Sequence, residues 1–213
     1  MQYSTVRKLM VAGVLAIAAT VGGCASMSKD ECLVTDWRTV GYEDGVAGYA
    51  GNQIAQHRKA CAKHGVAPDL SAYQAGRNSG LREFCVAQNG FRVGARGASY
   101  NGVCPADLEP AFLGAYETGR ELNRLRARVT NTANRIDSLH NEVDNIDRDL
   151  IATAAQIMKP DTTIEQRAQL ALDTRNMAER RGVARSEIPR LEGELVLYRR
   201  DLANFRRHLA YVE

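Results

Sequence analysis

Hydrophobic residues in the second half of the chain recur at alternating steps of three and four positions. One run extends from Leu122 to Ile157, and a second extends from Leu170 to Val212 after the interruption Lys159-Pro160-Asp161. Alternating steps of three and four form the seam of a coiled coil. The pattern therefore predicts two long amphipathic helices separated by a turn.

The two runs match each other when the chain is reflected about Pro160, so that Val143 faces Met177. This correspondence predicts an antiparallel helical hairpin over residues 120–213. Its turn is expected near residues 159–162, and its arms are about 65–75 Å long at 1.5 Å per residue. A parallel homodimer or trimer is the alternative, and homo-oligomerisation of the hairpin is compatible with both.

The returning arm contains two residues that disfavour a helix, Gly182 and Pro189. Inside a helix, glycine costs ~1 kcal/mol relative to alanine, and proline costs ~3 kcal/mol. We therefore expect this arm to break near Ser186, whose side chain can cap a new helix.

The first half follows a different pattern, in which an aromatic residue precedes a glycine by three positions. The spacing occurs at Tyr42 and Gly45, Tyr73 and Gly76, Phe91 and Gly94, and Tyr116 and Gly119. A helix with several glycines needs compensation, which a closely approaching helix with an aromatic ring laid over the glycine would supply. The pattern favours a small, glycine-rich helical head over residues 36–119.

We predict two helices in this head, followed by a loop. The first runs from its N-cap Asp36 to Lys63, and the second runs from its N-cap Ser71 to Ala87. A set of turns and short strands is the alternative. The loop is punctuated by Asn89-Gly90 and Asn101-Gly102.

The first 23 residues have the plan of a secretory signal. Arg7 and Lys8 precede an apolar run from Leu9 to Ala19, and small residues follow. Such a run is too short to span a bilayer of roughly 30 Å as a helix. We therefore predict a signal peptide over residues 1–23.

The four residues Val21-Gly22-Gly23-Cys24 resemble the lipobox of bacterial lipoproteins. The resemblance implies cleavage before Cys24, acylation of this cysteine with palmitate among the chains, and a lipidated tether over residues 24–35. Ala25 stands where lipoproteins of the inner membrane carry aspartate, so the resemblance also implies the periplasmic face of the outer membrane. Several acyl chains at ~0.8 kcal/mol per buried methylene make a stable anchor. The alternative is an ordinary signal peptide in which Cys24 has no role.

The chain without its signal is nearly neutral. The full sequence has 28 lysines and arginines against 25 acidic residues, and two of the basic residues, Arg7 and Lys8, lie in the signal. Because 26 basic residues then stand against 25 acidic ones, nucleic acid is not an expected partner.

The four other cysteines, Cys32, Cys61, Cys85 and Cys104, form an even set in an oxidising compartment, which predicts two disulfides. If residues 36–63 form one helix, its ends are about 40 Å apart, which disfavours Cys32 with Cys61. Cys61 and Cys85 would lie at opposite ends of an antiparallel helix pair. We therefore favour Cys32 with Cys85 and Cys61 with Cys104, although a glycine kink in the first helix would reopen the alternatives.

Candidate chemistry is sparse. Cys61 and His64, with His57 one turn earlier, have the spacing of metal ligands, so a zinc site is an alternative to the disulfides. Adjacent carboxylates such as Glu43-Asp44 diverge on a helix instead of converging in a cleft. No serine stands in a nucleophile elbow. We therefore predict a protein that is not an enzyme, with no catalytic residue, no cofactor and no metal site.

A basic cluster lies near the end of the returning arm, at Arg199, Arg200, Arg206 and Arg207. These arginines could contact lipid head groups. The alternative is a solvated helix face.

The first half resembles a family of bacterial envelope lipoproteins known only as domain of unknown function 2799. The likeness spans about Cys32 to Leu125, and the hairpin lies largely outside it. It implies an outer-membrane or periplasmic lipoprotein and carries over no catalytic residue. The residues that carry it are Asp36-Trp37, Gly41-Tyr42-Glu43-Asp44-Gly45, Tyr73-Gln74-Ala75-Gly76, Gly80-Leu81, Phe84-Cys85, Asn89-Gly90, Gly94, Gly97, Tyr100 to Pro105 and Phe112 to Gly119.

Together these features predict an all-α protein with a disulfide-stapled head and a long helical hairpin. We expect a non-catalytic, lipid-anchored envelope protein with a structural or protein-interaction role, whose hairpin binds another envelope protein. The alternative is a ligand-binding lipoprotein whose glycine-rich head holds a peptidoglycan fragment or a lipid.

Overall fold

The computed structural model of the chain describes residues 27–210, and the regular structure in this range is entirely helical. This confirms the predicted all-α class. The signal segment and Cys24 lie outside the described residues. Among the described helices, none combines the length and the apolar character needed to cross a membrane. The helices are α1 (Lys29–Val34), α2 (Trp37–Val46), α3 (Gln53–Ala62), α4 (Leu70–Phe84), α5 (Ala87–Ala95), α6 (Glu109–Ile157) and α7 (Ile164–Ala210).

The chain divides into two compact units. The first consists of the residues up to Val86 together with Tyr100–Glu109, and the second consists of Ala87–Ser99 together with the residues from Pro110 onward. This division differs from the boundary expected at residue 119, because α6 continues through that position without interruption.

The helix expected from Asp36 to Lys63 is in fact two helices. Asp36 caps α2 as predicted, since its side chain accepts a hydrogen bond of 3.0 Å from the backbone N–H of Arg38. The chain then turns at Gly48, which adopts a φ of +70°. This left-handed conformation is readily available only to glycine, and it ends α2 before α3 begins at Gln53.

Two other expectations about the head are wrong. Helix α4 is capped by Asp69, whose Oδ1 accepts from the backbone N–H of Ala72 at 3.0 Å. Ser71 is not the cap because its hydroxyl donates to Asp69 instead, at 2.8 Å. Asn89-Gly90 does not punctuate a loop, because Gly90 is buried within α5.

Glycines bring the helices of the head into backbone contact. A Cβ on Gly41 would overlap the carbonyl oxygen of Tyr73, and a Cβ on Gly76 would overlap that of Arg38, so α2 and α4 cross with no side chain between them. An aromatic ring fills the space of a missing Cβ at Gly48, where the ring of Phe84 lies. Close backbone packing therefore offsets the loss of helix propensity, as expected. The expected aromatic cover of the helical glycines is wrong, because they meet backbone, and Gly48 lies in the turn after α2.

The structure confirms two disulfides but contradicts the favoured pairing. Cys32 is bonded to Cys61, and Cys85 is bonded to Cys104, with Cα–Cα distances of 5.6 Å in both. The turn at Gly48 returns the chain, so Cys61 lies beside Cys32 instead of about 40 Å away. The zinc alternative is also contradicted, because the thiol of Cys61 is consumed, and the described residues contain no metal-binding cluster of His, Cys, Asp or Glu.

Helices α6 and α7 form the predicted antiparallel hairpin within one chain. The predicted seam is buried, with a core of Ile136, Leu139, Val143, Ala184, Ile188, Leu191 and Leu195. Ion pairs cross between the arms, from Arg135 to Glu187 at 3.0 Å and from Arg180 to Glu142 at 2.8 Å. These contacts join the two arms of one chain, as the predicted hairpin requires.

The turn of the hairpin occupies residues 158–163, close to its predicted place. Arg167 organises it, because its guanidinium donates to the carbonyl oxygen of Lys159 at 2.8 Å and of Thr162 at 3.1 Å, and also to that of Ile157. The carbonyl of Ile157 belongs to the last turn of α6, and those of Lys159 and Thr162 belong to the connection. Without Arg167, the carbonyls at this helix end would lack an intrahelical partner. One arginine therefore replaces the missing continuation of the helix.

The predicted break near Ser186 is absent. Helix α7 is continuous with Pro189 inside it, and the Ser186 hydroxyl donates back to the carbonyl of Val183 at 2.8 Å instead of capping a new helix. Ile188 and Leu191 are buried against α6 on either side of the proline. Tertiary packing of this face outweighs the ~3 kcal/mol cost of an interior proline.

The glycine-packed pairs α2·α4 and α5·α6 repeat the same packing. Equivalent positions differ by 49 residues in the first helix of each pair and by 39 in the second. A Cβ on Gly45 would meet Arg77 O and Leu81 N, whereas a Cβ on Gly94 would meet Tyr116 O and Arg120 N. All of these atoms correspond under the two offsets.

The ends of α2 and α5 repeat as well. Gly48 and Gly97 both have positive φ, +70° and +78°. The side chain of Arg77 donates to the carbonyl of Tyr49 at 2.8 Å, and at the equivalent place the hydroxyl of Tyr116 donates to the carbonyl of Ala98 at 3.1 Å. The two pairs are therefore copies of one helix-pair motif, an internal duplication that the aromatic–glycine spacing signals in the sequence.

Candidate functional site

A buried polar cluster lies in the first helix pair. Asp44 is buried, and its side chain is only 9% exposed. Its Oδ2 accepts a hydrogen bond from the Tyr73 hydroxyl at 2.6 Å and lies 2.9 Å from Nε2 of His57. Burial, together with the hydrogen bond to Asp44, raises the pKa of Tyr73. The cluster thus joins α2, α3 and α4 through one carboxylate oxygen.

The duplication shows that the fold does not need this cluster. At the positions of Asp44 and Tyr73, the second pair has Val93 and Phe112, both of which are buried. The partner helix α3, which carries His57, has no helical counterpart between α5 and α6. The polar cluster is therefore present where α3 must be held, and apolar packing replaces it where α3 is missing.

The side chains of this cluster hold three helices in position. Tyr73 is buried, and the ring of His57 contacts Trp37 edge-on with ring centroids 6.3 Å apart. Nothing in this arrangement presents a nucleophile or an acid to a cleft. Sequence reasoning missed the cluster, yet aligning Asp44 with Val93 across the two copies would have singled it out.

Three arginines converge on a groove between α6 and α7. Arg199 and Arg206, both predicted for head-group contact, line a groove of about 390 Å³ with Arg126. Within the described chain, no carboxylate pairs with these three guanidiniums. The other two predicted residues do not join them: Arg200 pairs with Asp201 at 3.3 Å, and Arg207 donates to Asn204. Contact of the groove with an anionic head group stays a prediction.

The end of α6 at the distal end of the hairpin is uncharged. From Leu150 to Met158 the chain has no charged residue, and the next charges are Lys159 and Asp161 in the turn. Ile151, Met158 and Ile164 are 72, 80 and 82% exposed. Between Ile146 and Ala184 the chain has no buried residue, so the two helices alone do not cover their apolar side chains here.

Four of the glycines expected to form a ligand site, Gly41, Gly45, Gly76 and Gly80, contact backbone of the neighbouring helix and do not line a cavity. Two others, Gly94 and Gly97, line a groove of about 570 Å³ together with Glu117, Arg120, Glu121, Asn123, Arg124 and Ala127. The first unit has a cleft of about 410 Å³ elsewhere, lined by Ile54, Ala55, Arg58, Ala67, Pro68 and Leu70.

Comparison with known proteins gives one match. No curated protein matches the chain, and no solved structure matches it. The matching family model carries the description "Protein of unknown function (DUF2799)". Its match begins at the α2 cap and ends within α6, so it contains both helix pairs and leaves out most of the hairpin. Residues 36–121 of the chain are therefore similar to a protein family of unknown function, in agreement with the resemblance in the sequence.

Proposed function

We propose that the protein is a non-catalytic, lipid-anchored component of the cell envelope that binds another envelope protein through its helical hairpin. Cys24 is the anchor, and the periplasmic face of the outer membrane is its location. The head joins the anchor to the hairpin.

Two disulfides support an envelope location. Cys32, Cys61, Cys85 and Cys104 are all buried, and each disulfide closes a loop, with sequence separations of 29 and 19 residues. Structural disulfides of this kind form and persist in oxidising compartments such as the bacterial periplasm. This agrees with the secretory signal and lipobox of the sequence.

The observation that carries the interaction role is the uncovered distal end of the hairpin. The segment from Leu150 to Met158 is apolar except for Thr153 and Gln156, and it is mostly exposed. Apolar helix surface of this kind is normally buried. A contiguous apolar surface on a protein commonly marks a contact with another macromolecule. The alternative of a ligand-binding head would use the cleft at Arg58 or the groove at Gly94 and Gly97.

The anchor is tested by intact-mass analysis of protein taken from its native envelope. We expect the loss of residues 1–23, an added mass of acyl chains and no free thiol. Protein recovered without acyl mass would contradict the anchor, and four free thiols would contradict the compartment.

The hairpin is tested by cross-linking in intact cells with the double variant Ile151→Ser and Met158→Ser. The control pair is Val183→Ser and Val196→Ser, which removes similarly exposed residues nearer the head. We expect the distal pair to abolish capture of a partner and the control pair to leave it unchanged. Equal capture by all three proteins would show that the distal end does not bind.

A further inference from the structure

The outer face of α2 is an exposed apolar surface that the hairpin proposal does not use. Tyr42 and Val46 lie one turn apart on α2, and Tyr49 follows the turn at Gly48. These three residues are 37, 40 and 50% exposed. Tyr42 also reaches α4, where its hydroxyl donates to Oε1 of Glu83 at 2.8 Å. We call Tyr42, Val46, Tyr49 and Glu83 the α2 face.

The second copy of the motif shows what covers such a face. Phe91 and Ala95 of α5 are the counterparts of Tyr42 and Val46, and both pack against a hydrophobic cluster. The members of this cluster are Leu122 and Leu125 of α6 and Leu202 of α7, with Phe205 and Leu209 of α7 packed around them.

The cover supplied by α7 has a defined pattern. Leu202, Phe205 and Leu209 are spaced by three and four residues, so they form one stripe of an amphipathic helix. The same helix motif in this molecule therefore accepts an amphipathic helix on this face. In the first copy the equivalent face is exposed.

The α2 face and the equivalent face of α5 differ at two positions, and this difference indicates the charge of a helix that would bind the α2 face. Glu83 in the first copy stands where Leu122 stands in the second, and Tyr42 stands where Phe91 stands. A carboxylate and a phenol hydroxyl replace two apolar groups, which keeps the uncovered face hydrated. They also offer an acceptor that a basic side chain can bind.

We propose that the α2 face binds an amphipathic helix of another protein, with apolar residues at i, i+3 or i+4 and i+7 and a lysine or arginine opposite Glu83. This surface is separate from the distal end of the hairpin. It would bind its helix whether or not the hairpin has a partner.

The test uses the full acylated protein in cells, with a photo-reactive phenylalanine analogue at position 46. The same analogue at position 183, an exposed valine of α7, is the control. Cross-linked peptides are identified by mass spectrometry, and the captured protein is then purified and titrated against this chain. We expect the cross-link from position 46 to fall in a helical segment with the stated apolar spacing and a basic residue.

In the titration, Val46→Glu should weaken binding at least tenfold, and Val183→Glu should not. Glu83→Gln should weaken binding several-fold and reduce its dependence on salt. Val46→Ser serves as a milder second variant if Val46→Glu disturbs the melting of the head, and it should also weaken binding.

Four outcomes of the cross-linking would overturn the proposal: no cross-link specific to position 46, a cross-link to lipid, a cross-link to a second copy of this chain, or one to a segment without helical apolar spacing. Unchanged affinity of the Val46→Ser variant would do so as well. The Ile151→Ser and Met158→Ser variant, run in parallel, reports separately on the hairpin.

Discussion

Replacing the buried polar pair of the first helix pair by the residues of the second gives a sharp test of its energetics. The substitutions are Asp44→Val and Tyr73→Phe, which copy Val93 and Phe112. The second helix pair has Val and Phe at the equivalent positions of the same backbone motif, so the substitutions should introduce little steric strain. The two variants and their combination form a double-mutant cycle.

The magnitude follows from the geometry of the cluster. In the native protein, Tyr73→Phe removes a 2.6 Å hydrogen bond to a buried carboxylate and should cost about 2 kcal/mol. In the Asp44→Val background the same change removes a buried hydroxyl that has lost its partner, and should stabilise the protein by about 1 kcal/mol. The sign of the Tyr73→Phe effect therefore reverses, with a coupling of about 3 kcal/mol.

The assay is urea unfolding at pH 7 with the disulfides intact, followed by the fluorescence of Trp37. This residue is the single tryptophan and packs in the same cluster as Tyr73, so it reports on the first unit. The control cycle is Tyr42→Phe with Glu83→Leu, an exposed pair with the same chemistry, for which we expect no measurable coupling. If Tyr73→Phe destabilises equally in both backgrounds, the buried hydrogen bond does not hold the cluster.

Three further predictions follow from the head. Gly76→Ala should destabilise the first unit by about 3 kcal/mol in urea unfolding, because the added Cβ meets backbone of the neighbouring helix. Gly114 has open space around it, so Gly114→Ala should stabilise α6 by up to ~1 kcal/mol. Equal effects of the two substitutions would contradict the role of glycine in helix packing. Asp69→Ala should lower the thermal midpoint, and Ser71→Ala should not. The hydrogen bond from the backbone N–H of Ala72 lowers the pKa of Asp69. The stabilisation by this cap is therefore present above the ordinary pKa of Asp69 and is lost as pH falls through its pKa in the folded protein. The pKa of Tyr73 is raised, so the contribution of its hydroxyl to stability is complete below its ordinary pKa of 10.0 and falls at higher pH, where only the unfolded chain ionises. Tyr73→Phe should therefore flatten the loss of stability above about pH 10. An unchanged pH dependence of stability above pH 10 would contradict this.

Most of the hairpin could be predicted from the sequence because its register is local. Each seam residue lies three or four positions from the next, so periodicity alone identifies the buried face and the turn. The continuity of α7 could not be predicted in this way. Whether Pro189 breaks the helix depends on the packing of Ile188 and Leu191 against α6, which lies outside any local window.

The disulfide pairing failed for a related reason. Helix geometry excluded Cys32 with Cys61 only as long as the chain ran straight through Gly48. A single positive φ at that glycine reverses the chain and changes which thiols meet. The polar cluster was missed because adjacent carboxylates such as Glu43-Asp44 look alike in sequence, whereas only Asp44 faces α4.

The sequence by itself determined the helical class, the two-arm hairpin, the number of disulfides and the glycine-dependent packing of the head. These follow from spacing and composition, which act within a few turns of helix. The tertiary structure decided the pairing of Cys32 with Cys61, the burial of Asp44 and the exposure of the α2 face. Each of these depends on which helices come together across long separations in the chain, and burial sets the energies there.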